Sequence, residues 1–205
     1  MSVLSMPKIL SLCLCLCCVF IFGSAFSATL SHDQQEWIGR IEKNLAETHS
    51  FQAQFRQIAP DGKVSKGTVF LVRPGRVRFN YDAPSPLLLV ANDGKVVFQD
   101  RSIDQITTLP LRRTPLGLLL RPDPKFSGDV TVTSFHEVTG EIQISVVRTE
   151  APDEGELTLF FTRQPFSFLG WTVHDAQGGV TQIRLSDVRT NIQVADDIFV
   201  LPKAD

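Results

Sequence analysis

The residues of this sequence that could catalyse a reaction do not form a G-x-S-x-G elbow, a P-loop or an H-E-x-x-H motif. The histidines at positions 32, 49, 136 and 174 stand apart, and none has another histidine at helical spacing. His174 precedes Asp175, and a periplasmic hydrolase could use such a pair as base and orienting carboxylate. Because Gly178 and Gly179 follow closely, a turn explains these two residues better. The sequence therefore predicts no catalytic residue.

A metal site is not expected either. Asp93, Asp100 and Asp104 could be grouped as carboxylate ligands, but the dipeptide Asp93-Gly94 is typical of a hairpin turn. All four cysteines lie before residue 19. A chain that loses this segment has no thiol for zinc binding or nucleophilic catalysis. We expect neither a metal nor another cofactor.

Arg73 is the charged residue that fits its surroundings least well. It follows the β-branched and aromatic stretch 68–72 and precedes Pro74 and Gly75, which predict a turn into the alternating strand 76–81. One interpretation is a surface arginine whose stem lies on apolar residues while its head reaches water. The other is an arginine whose fork of donors binds a neighbouring element.

A short apolar helix is predicted within residues 114–121. Thr114 is a suitable N-cap and Pro115 suits the first helical position. Pro122 ends the helix. Its leucines point in nearly all directions: Leu116, Leu118, Leu119 and Leu120. So short a helix is not stable alone and must be buried on more than one side. It is either a permanent plug in one mouth of a barrel or a lid that moves away when an apolar ligand enters.

Residues 1–27 have the features of a signal peptide. Lys8 supplies the positive charge, and the apolar run 9–22 is too short to span a bilayer comfortably. Small residues at 23–27 offer cleavage sites, so we expect the mature chain to begin between Phe26 and Leu30. The alternative is an uncleaved membrane anchor.

The remaining residues, 28–205, are predicted to form one domain. Lys8 is the only charged residue before residue 28, so 19 basic residues face 22 acidic ones and the net charge is −3. This balance argues against nucleic acid as a partner. With its cysteines confined to the first segment, the domain depends on a hydrophobic core rather than on disulfides.

The pattern of apolar residues predicts a mainly β (α+β) fold. Residues 31–48 form an amphipathic helix in which Ser31 and Gln34 make a capping box. From residue 51 onwards, short strands alternate with turn signals every 8–12 residues. We therefore expect one long, strongly curved antiparallel sheet with an N-terminal helix and a short apolar helix. The run 87–90 is apolar on both faces, so both need cover.

Four segments of the chain resemble the periplasmic outer-membrane lipoprotein carrier family, LolA. They are SFQAQFRQ (50–57), GTVFLVRPGRVRFNY (67–81), LVANDGK (89–95) and TPL (114–116). Their order and spacing, with the Phe- and Trp-rich C-terminal half, extend the resemblance over nearly the whole mature chain. The resemblance implies an incomplete, strongly curved antiparallel β-barrel whose apolar inside is covered by lid helices.

The resemblance also implies a function. Such a protein is a monomer in the periplasm of a Gram-negative bacterium. It receives lipoproteins from an inner-membrane ATP-driven transporter complex, shields their acyl chains and delivers them to an outer-membrane receptor. Arg73 matches the arginine that latches the lid. We expect these residues to contact lipid: Phe70, Val77, Phe79, Tyr81, Leu88, Val90, Leu116, Leu119 and Leu120. Because relatives often have an aromatic residue at the position of Val77, the mouth of this cavity is expected to differ.

Two other functions are compatible with the sequence. One is a related periplasmic protein that binds a glycolipid or another envelope lipid. The other is the hydrolase built on His174 and Asp175.

Overall fold

Our computed structural model describes residues 30–203, and half of them belong to one antiparallel sheet. The predicted signal segment, 1–27, lies outside the described residues. The eleven strands are β1 (Ser50–Ile58), β2 (Val64–Val72), β3 (Arg76–Tyr81), β4 (Leu87–Asn92), β5 (Lys95–Asp100), β6 (Gln105–Pro110), β7 (Val130–Val138), β8 (Glu141–Arg148), β9 (Gly155–Thr162), β10 (Ser167–Asp175) and β11 (Val180–Thr190).

The strands are arranged as two meanders. Their order is β6-β5-β4-β3-β2-β1-β11-β10-β9-β8-β7, and every pair of neighbours is antiparallel. The pair β1–β11 joins the two meanders, whereas in the described part of the chain β6 and β7 each have a neighbour on one side only. The sheet is therefore open, as the predicted incomplete barrel requires.

Contacts across the sheet demonstrate its curvature. Strands β3 and β10 lie four positions apart, which corresponds to about 19 Å in a flat sheet. The ring centroids of Phe79 on β3 and Trp171 on β10 are nevertheless only 6.0 Å apart. The sheet therefore curls around one concave face, where the core lies. Buried residues of this face include Phe51, Phe55, Val69, Leu71, Leu157, Leu159, Ile142, Ile144 and Ile183.

Two α-helices of the described residues accompany the sheet. The first, α1 (His32–Glu47), begins with the predicted capping box between Ser31 and Gln34 and buries Trp37, Ile41 and Leu45. The second, α2 (Pro115–Leu119), has Thr114 as its N-cap and packs against β9 and β10. Within residues 30–203, neither helix combines the length and apolar composition that crossing a membrane demands.

The C-terminal tail covers part of the convex face. A 3₁₀ turn, Asp196–Phe199, lies over β3 and β4 and buries Phe199 completely. Arg78 Nη1 donates to the carbonyl of Ile198 at 2.8 Å, and Asn92 Nδ2 donates to that of Phe199 at 3.2 Å. The tail thus supplies the cover that the apolar run 87–90 needs on this side.

Candidate binding cleft

An apolar cavity of the described residues opens on the concave face of the sheet. Its volume is about 430 Å³, within the range of about 300–1,000 Å³ that is usual for small-molecule sites. Strands from both meanders form its walls, and α2 closes one side. Its apolar lining consists of Phe79, Tyr81, Leu89, Val96, Leu109, Pro110, Pro115, Leu116, Trp171, Val173, Ala176 and Ile183.

Aromatic rings give one wall a fixed shape. The ring of Phe55 meets Phe79 edge to face at 5.0 Å and Tyr81 at 5.2 Å. Phe79 in turn meets Trp171 edge to face at 6.0 Å. Edge-to-face pairs are a favoured geometry that adds to the burial of the rings. The wall is therefore an apolar surface whose rings hold one another in place.

Tyr81 provides one of the polar groups on this wall. Its hydroxyl donates to Oε1 of Gln57 at 2.8 Å. Burial raises the pKa of Tyr81 to about 12. The phenol is therefore neutral at physiological pH and keeps the wall free of charge.

Charged residues at the rim have partners. Arg113 Nε lies 3.0 Å from Oε1 of Glu154, and Arg148 Nε lies 3.2 Å from the other oxygen of that carboxylate. Asp175 Oδ1 accepts hydrogen bonds from the backbone N–H groups of Gln177 and Gly179. These partners satisfy the rim carboxylates without a ligand.

The helix α2 is buried on several sides, as its composition predicts. Pro115, Leu116, Leu118 and Leu119 are all buried, and Leu116 faces the cleft. Gly117 allows the helix to lie close to the preceding 3₁₀ turn, Leu111–Arg113. A Cβ atom on Gly117 would lie 2.4 Å from the carbonyl oxygen of Leu111, where no side chain fits.

Hydrogen bonds from the β2–β3 turn hold the end of α2. Arg73 Nε donates to the carbonyl of Leu119 at 3.0 Å, and the Gly75 N–H donates to that of Leu120 at 2.9 Å. Gly75 has a φ of +75°, which glycine adopts without strain. The turn thus binds two carbonyls at the C-terminal end of α2.

The same arginine holds the end of α1. Arg73 Nη1 donates to the carbonyls of Leu45, at 3.1 Å, and Thr48. The last turn of α1 has no basic residue of its own. Since the C-terminal end of a helix carries partial negative charge, Arg73 supplies the favourable cation for both helices. Burial lowers the pKa of Arg73 to about 10, so it remains protonated at neutral pH.

Three of the residues predicted to contact lipid line the cleft: Phe79, Tyr81 and Leu116. Val77 lies on the same face of β3 as Phe79 but is fully buried away from the cleft lining. Leu119 and Leu120 are buried and likewise lie outside the lining. These three residues support the cleft rather than face its space.

The other three, Phe70, Leu88 and Val90, lie on the convex face. Phe70 and Val90 both pair with Arg78, and Leu88 pairs with Asn80, whereas Phe79 pairs with Leu89. Side chains alternate between faces along a strand, so residues on these register positions point away from the cleft. The expectation of lipid contact is corrected for these three residues, of which Leu88 and Val90 lie on the strand under the C-terminal tail.

Several lining residues were not singled out in the sequence. The sequence does not distinguish Leu89 from its neighbours, because residues 87–90 are all apolar. Nothing in this run indicates which of its residues face the concave side of the sheet. Trp171 and Ile183 are large apolar residues of β10 and β11, and both are buried. The contact between Trp171 and Phe79 depends on the curvature of the whole sheet, which local sequence patterns do not reveal.

The histidine and carboxylate considered for catalysis do not form a pair. His174 is exposed and precedes a turn that Asp175 stabilises with two accepted hydrogen bonds. Adjacent strand residues also point to opposite faces of the sheet. The hydrolase alternative has no support from this geometry.

The fold and the cleft define a class of protein in which an open, curved antiparallel sheet holds an apolar cleft under a short helix. The sequence profile of the outer membrane lipoprotein carrier protein LolA matches residues 46–202. An outer-membrane lipoprotein carrier protein of Pseudomonas aeruginosa is 30% identical over 188 residues, covering 84% of this chain and 87% of the relative. One of Methylococcus capsulatus is 26% identical, covering 78% and 80%.

Among solved structures, a LolA superfamily protein from Nitrosomonas europaea aligns with a TM-score of 0.44 and 15% identity, covering 80% of this chain and 97% of that one. The profile match and the relative from Pseudomonas show that this chain belongs to the LolA family of outer-membrane lipoprotein carriers.

Proposed function

We propose that this protein is a periplasmic carrier that binds the acyl chains of lipoproteins in the concave cleft. The observation that carries the proposal is an apolar cleft with a rigid aromatic wall, closed on one side by a helix of five residues. Each CH₂ group taken out of water contributes about 0.8 kcal/mol. Acyl chains exposed between two membranes would therefore be strongly driven into such a cleft.

The helix α2 acts as a lid in this proposal. A carrier must also release its cargo, and a lid that competes for the same apolar surface lowers the net affinity, because opening it costs free energy. The lid has few internal hydrogen bonds to hold it together. Arg73 and Gly75 hold its end from outside, and Arg73 serves as the latch of the closed, empty state.

The partners follow from this role. Cargo arrives from an inner-membrane ATP-driven transporter complex and leaves to an outer-membrane receptor, and residues 1–27 direct export to the periplasm as a cleaved signal peptide. The carrier works as a monomer without catalytic chemistry of its own.

The test is to purify the protein from periplasm and identify bound molecules by mass spectrometry. A triacylated lipopeptide is then titrated into the ligand-free protein. We expect lipoproteins among the bound molecules and one lipopeptide per chain. Recovery of glycolipid or phospholipid alone, with no binding of the lipopeptide, would reject the proposal.

A further inference from the structure

The edge strand β6 has free backbone groups and little protection. Within residues 30–203 it pairs with β5 only, so about half of its N–H and C=O groups point away from the sheet. Among the described residues, no backbone hydrogen bond joins residues 105–109 to a segment other than β5. All of its side chains except that of Ile106 are exposed.

The opposite edge, β7, is protected in the usual ways. Its pairing with β8 contains a bulge between Val132 and Ser134. It also carries Glu137, which forms an ion pair with Arg163 at 3.0 Å. Bulges and charges on an edge strand prevent another strand from adding to it.

Strand β6 has none of these features along its length. Residues 105–109 are Gln, Ile, Thr, Thr and Leu, without a charge, and Pro110 stands only at the end. Its pairing with β5 runs from Lys95–Pro110 to Asp100–Gln105 without a shift in register. An uncharged, regular edge of this kind is suited to pairing with an added strand.

The position of β6 connects this edge with the cleft. Leu109 and Pro110 are part of the cleft lining, and Leu109 is 50% exposed, so it lies at the border between cleft and solvent. A lipoprotein joins its acyl chains to the polypeptide at one modified residue. With the acyl chains in the cleft, a polypeptide that leaves across Leu109 passes along β6.

We propose that β6 binds the polypeptide segment adjacent to the lipid attachment site of the cargo, as an added β-strand. This inference rests on the proposed carrier function and names a second contact with the same cargo. Main-chain hydrogen bonds do not depend on side-chain identity, so one edge can accept segments of many sequences. Such a contact also orients the cargo as its acyl chains enter.

The experiment compares triacylated ligands that differ only in their peptide. The first is a triacylated cysteine amide with no tail, and the second carries a six-residue tail that matches the length of β6. Two further ligands have the same tail N-methylated at even or at odd positions. In an added strand only alternate N–H groups face the partner, so methylation should matter in one ligand and not in the other.

We expect the tail to tighten binding about tenfold, which corresponds to about 1.4 kcal/mol. One N-methylated ligand should keep this gain, and the other should bind like the tail-free ligand. Hydrogen exchange should slow at alternate amides of residues 105–109 with the tailed ligand only. A tail that adds nothing, or two methylated ligands of equal affinity, would overturn the proposal.

Other results separate this inference from the carrier function. If the tail-free ligand does not bind, the carrier function fails; if it binds normally and the tail adds nothing, only the β6 proposal fails. Slow amide hydrogen exchange in β6 of the ligand-free protein, together with a dimeric mass in solution, would show that β6 pairs with a second copy of the chain. This result would overturn the proposal.

Discussion

The guanidinium of Arg73 joins the ends of two helices that are distant in sequence: its Nε lies 3.0 Å from the carbonyl oxygen of Leu119, and its Nη1 lies 3.1 Å from that of Leu45. Both acceptors lie where the helix dipole is negative, at the ends of α2 and α1. The position of α2 therefore depends on the β2–β3 turn, and in the proposed carrier function a change at Arg73 shifts the balance between a closed and an open lid.

Arg73→Leu should separate loading from release. Hydrogen bonds to a charged donor contribute about 1.5–3 kcal/mol each, so losing the bond to Leu119 should lower the population of the closed state. The variant should accept lipoprotein from inner-membrane vesicles at least as well as wild type. It should release cargo poorly to receptor-bearing outer membrane, because closure no longer helps to expel the acyl chains. A two-step transfer assay measures both.

Two variants accompany this measurement. Arg73→Lys keeps the charge but cannot reproduce the fork of donors, so it should be intermediate. Arg56→Leu removes an arginine from an exposed position of β1 and should behave like wild type. Normal release by Arg73→Leu would show that the arginine is an ordinary structural residue.

Gly117→Ala should displace the lid without changing a charge or an apolar side chain. The added Cβ would lie 2.4 Å from the carbonyl oxygen of Leu111, so α2 or the preceding turn must move. Overpacking of this kind costs about 1–3 kcal/mol. We expect a lower free energy of unfolding and stronger binding of an apolar fluorescent dye to the ligand-free protein.

Gly39→Ala is the matched control for the lid variant. A Cβ at this position in α1 meets no atom within 4 Å. Replacing glycine by alanine inside a helix stabilises by about 0.5–1 kcal/mol, and dye binding should not change. Equal dye binding by Gly117→Ala and wild type would contradict the assignment of α2 as a lid.

Local features of the sequence predicted the elements of this fold well. The capping box at Ser31 and Gln34 and the Thr114-Pro115 pair set the starts of both helices where they are observed. Such signals work because each cap is satisfied within three residues of itself. The open, curved form of the sheet came from the family resemblance as well as from the regular turns.

The contacts that build the site were not local. Arg73 reaches acceptors 25, 28 and 46 residues away, so no window of sequence identifies them. The faces of β4 were ambiguous because residues 87–90 are all apolar, and only the register with β3 places Leu89 on the cleft side. The tail that covers β4 from the other side comes from 196–199. Sequence patterns therefore predicted burial more reliably than they predicted which face was buried.

Tyr81 is the only tyrosine of the chain and lines the cleft, so its ionisation reports on the site. Burial raises its pKa to about 12 from 10.0. We expect tyrosinate absorbance to appear near pH 12 in the folded protein and near pH 10 after unfolding in denaturant. Acyl chains in the cleft should raise the pKa further, because they remove remaining water from the phenol.

The raised pKa also predicts a pH dependence of stability. Between pH 10 and 12 the folded state keeps the phenol proton that the unfolded state has lost. The contribution of Tyr81 to the free energy of unfolding therefore falls as pH rises. A shift of two pKa units corresponds to a loss of at most about 2.7 kcal/mol in the free energy of unfolding. The lowered pKa of Arg73 acts in the opposite direction above pH 10. Denaturant unfolding of wild type and Tyr81→Phe at several pH values measures the contribution of the tyrosine to the free energy of unfolding. If this free energy falls equally in both proteins above pH 10, the assigned burial of Tyr81 is contradicted.

Phe79→Ala should change the cleft as well as the stability of the protein. Phe79 is 4% exposed and forms part of the aromatic wall with Phe55 and Trp171. Removing a buried phenylalanine ring typically costs about 3–5 kcal/mol. Because the ring faces the cleft, its loss should also enlarge the apolar space and alter the affinity for an apolar dye.

Leu119→Ala should act on dye binding through the position of the lid, since Leu119 is buried in α2 outside the lining.

Phe160→Ala provides the matched control on the other face of the sheet. Phe160 is 5% exposed, but it pairs with Gln143 and Gly170, and Arg184 covers its ring at 4.2 Å from the centroid. Its loss should lower the free energy of unfolding by a similar amount. Dye and lipopeptide affinity should stay at the wild-type value, because alternation along β9 directs this side chain away from the cleft. If Phe79→Ala and Phe160→Ala lose stability equally and neither alters binding, the concave space is a sealed core rather than a binding site.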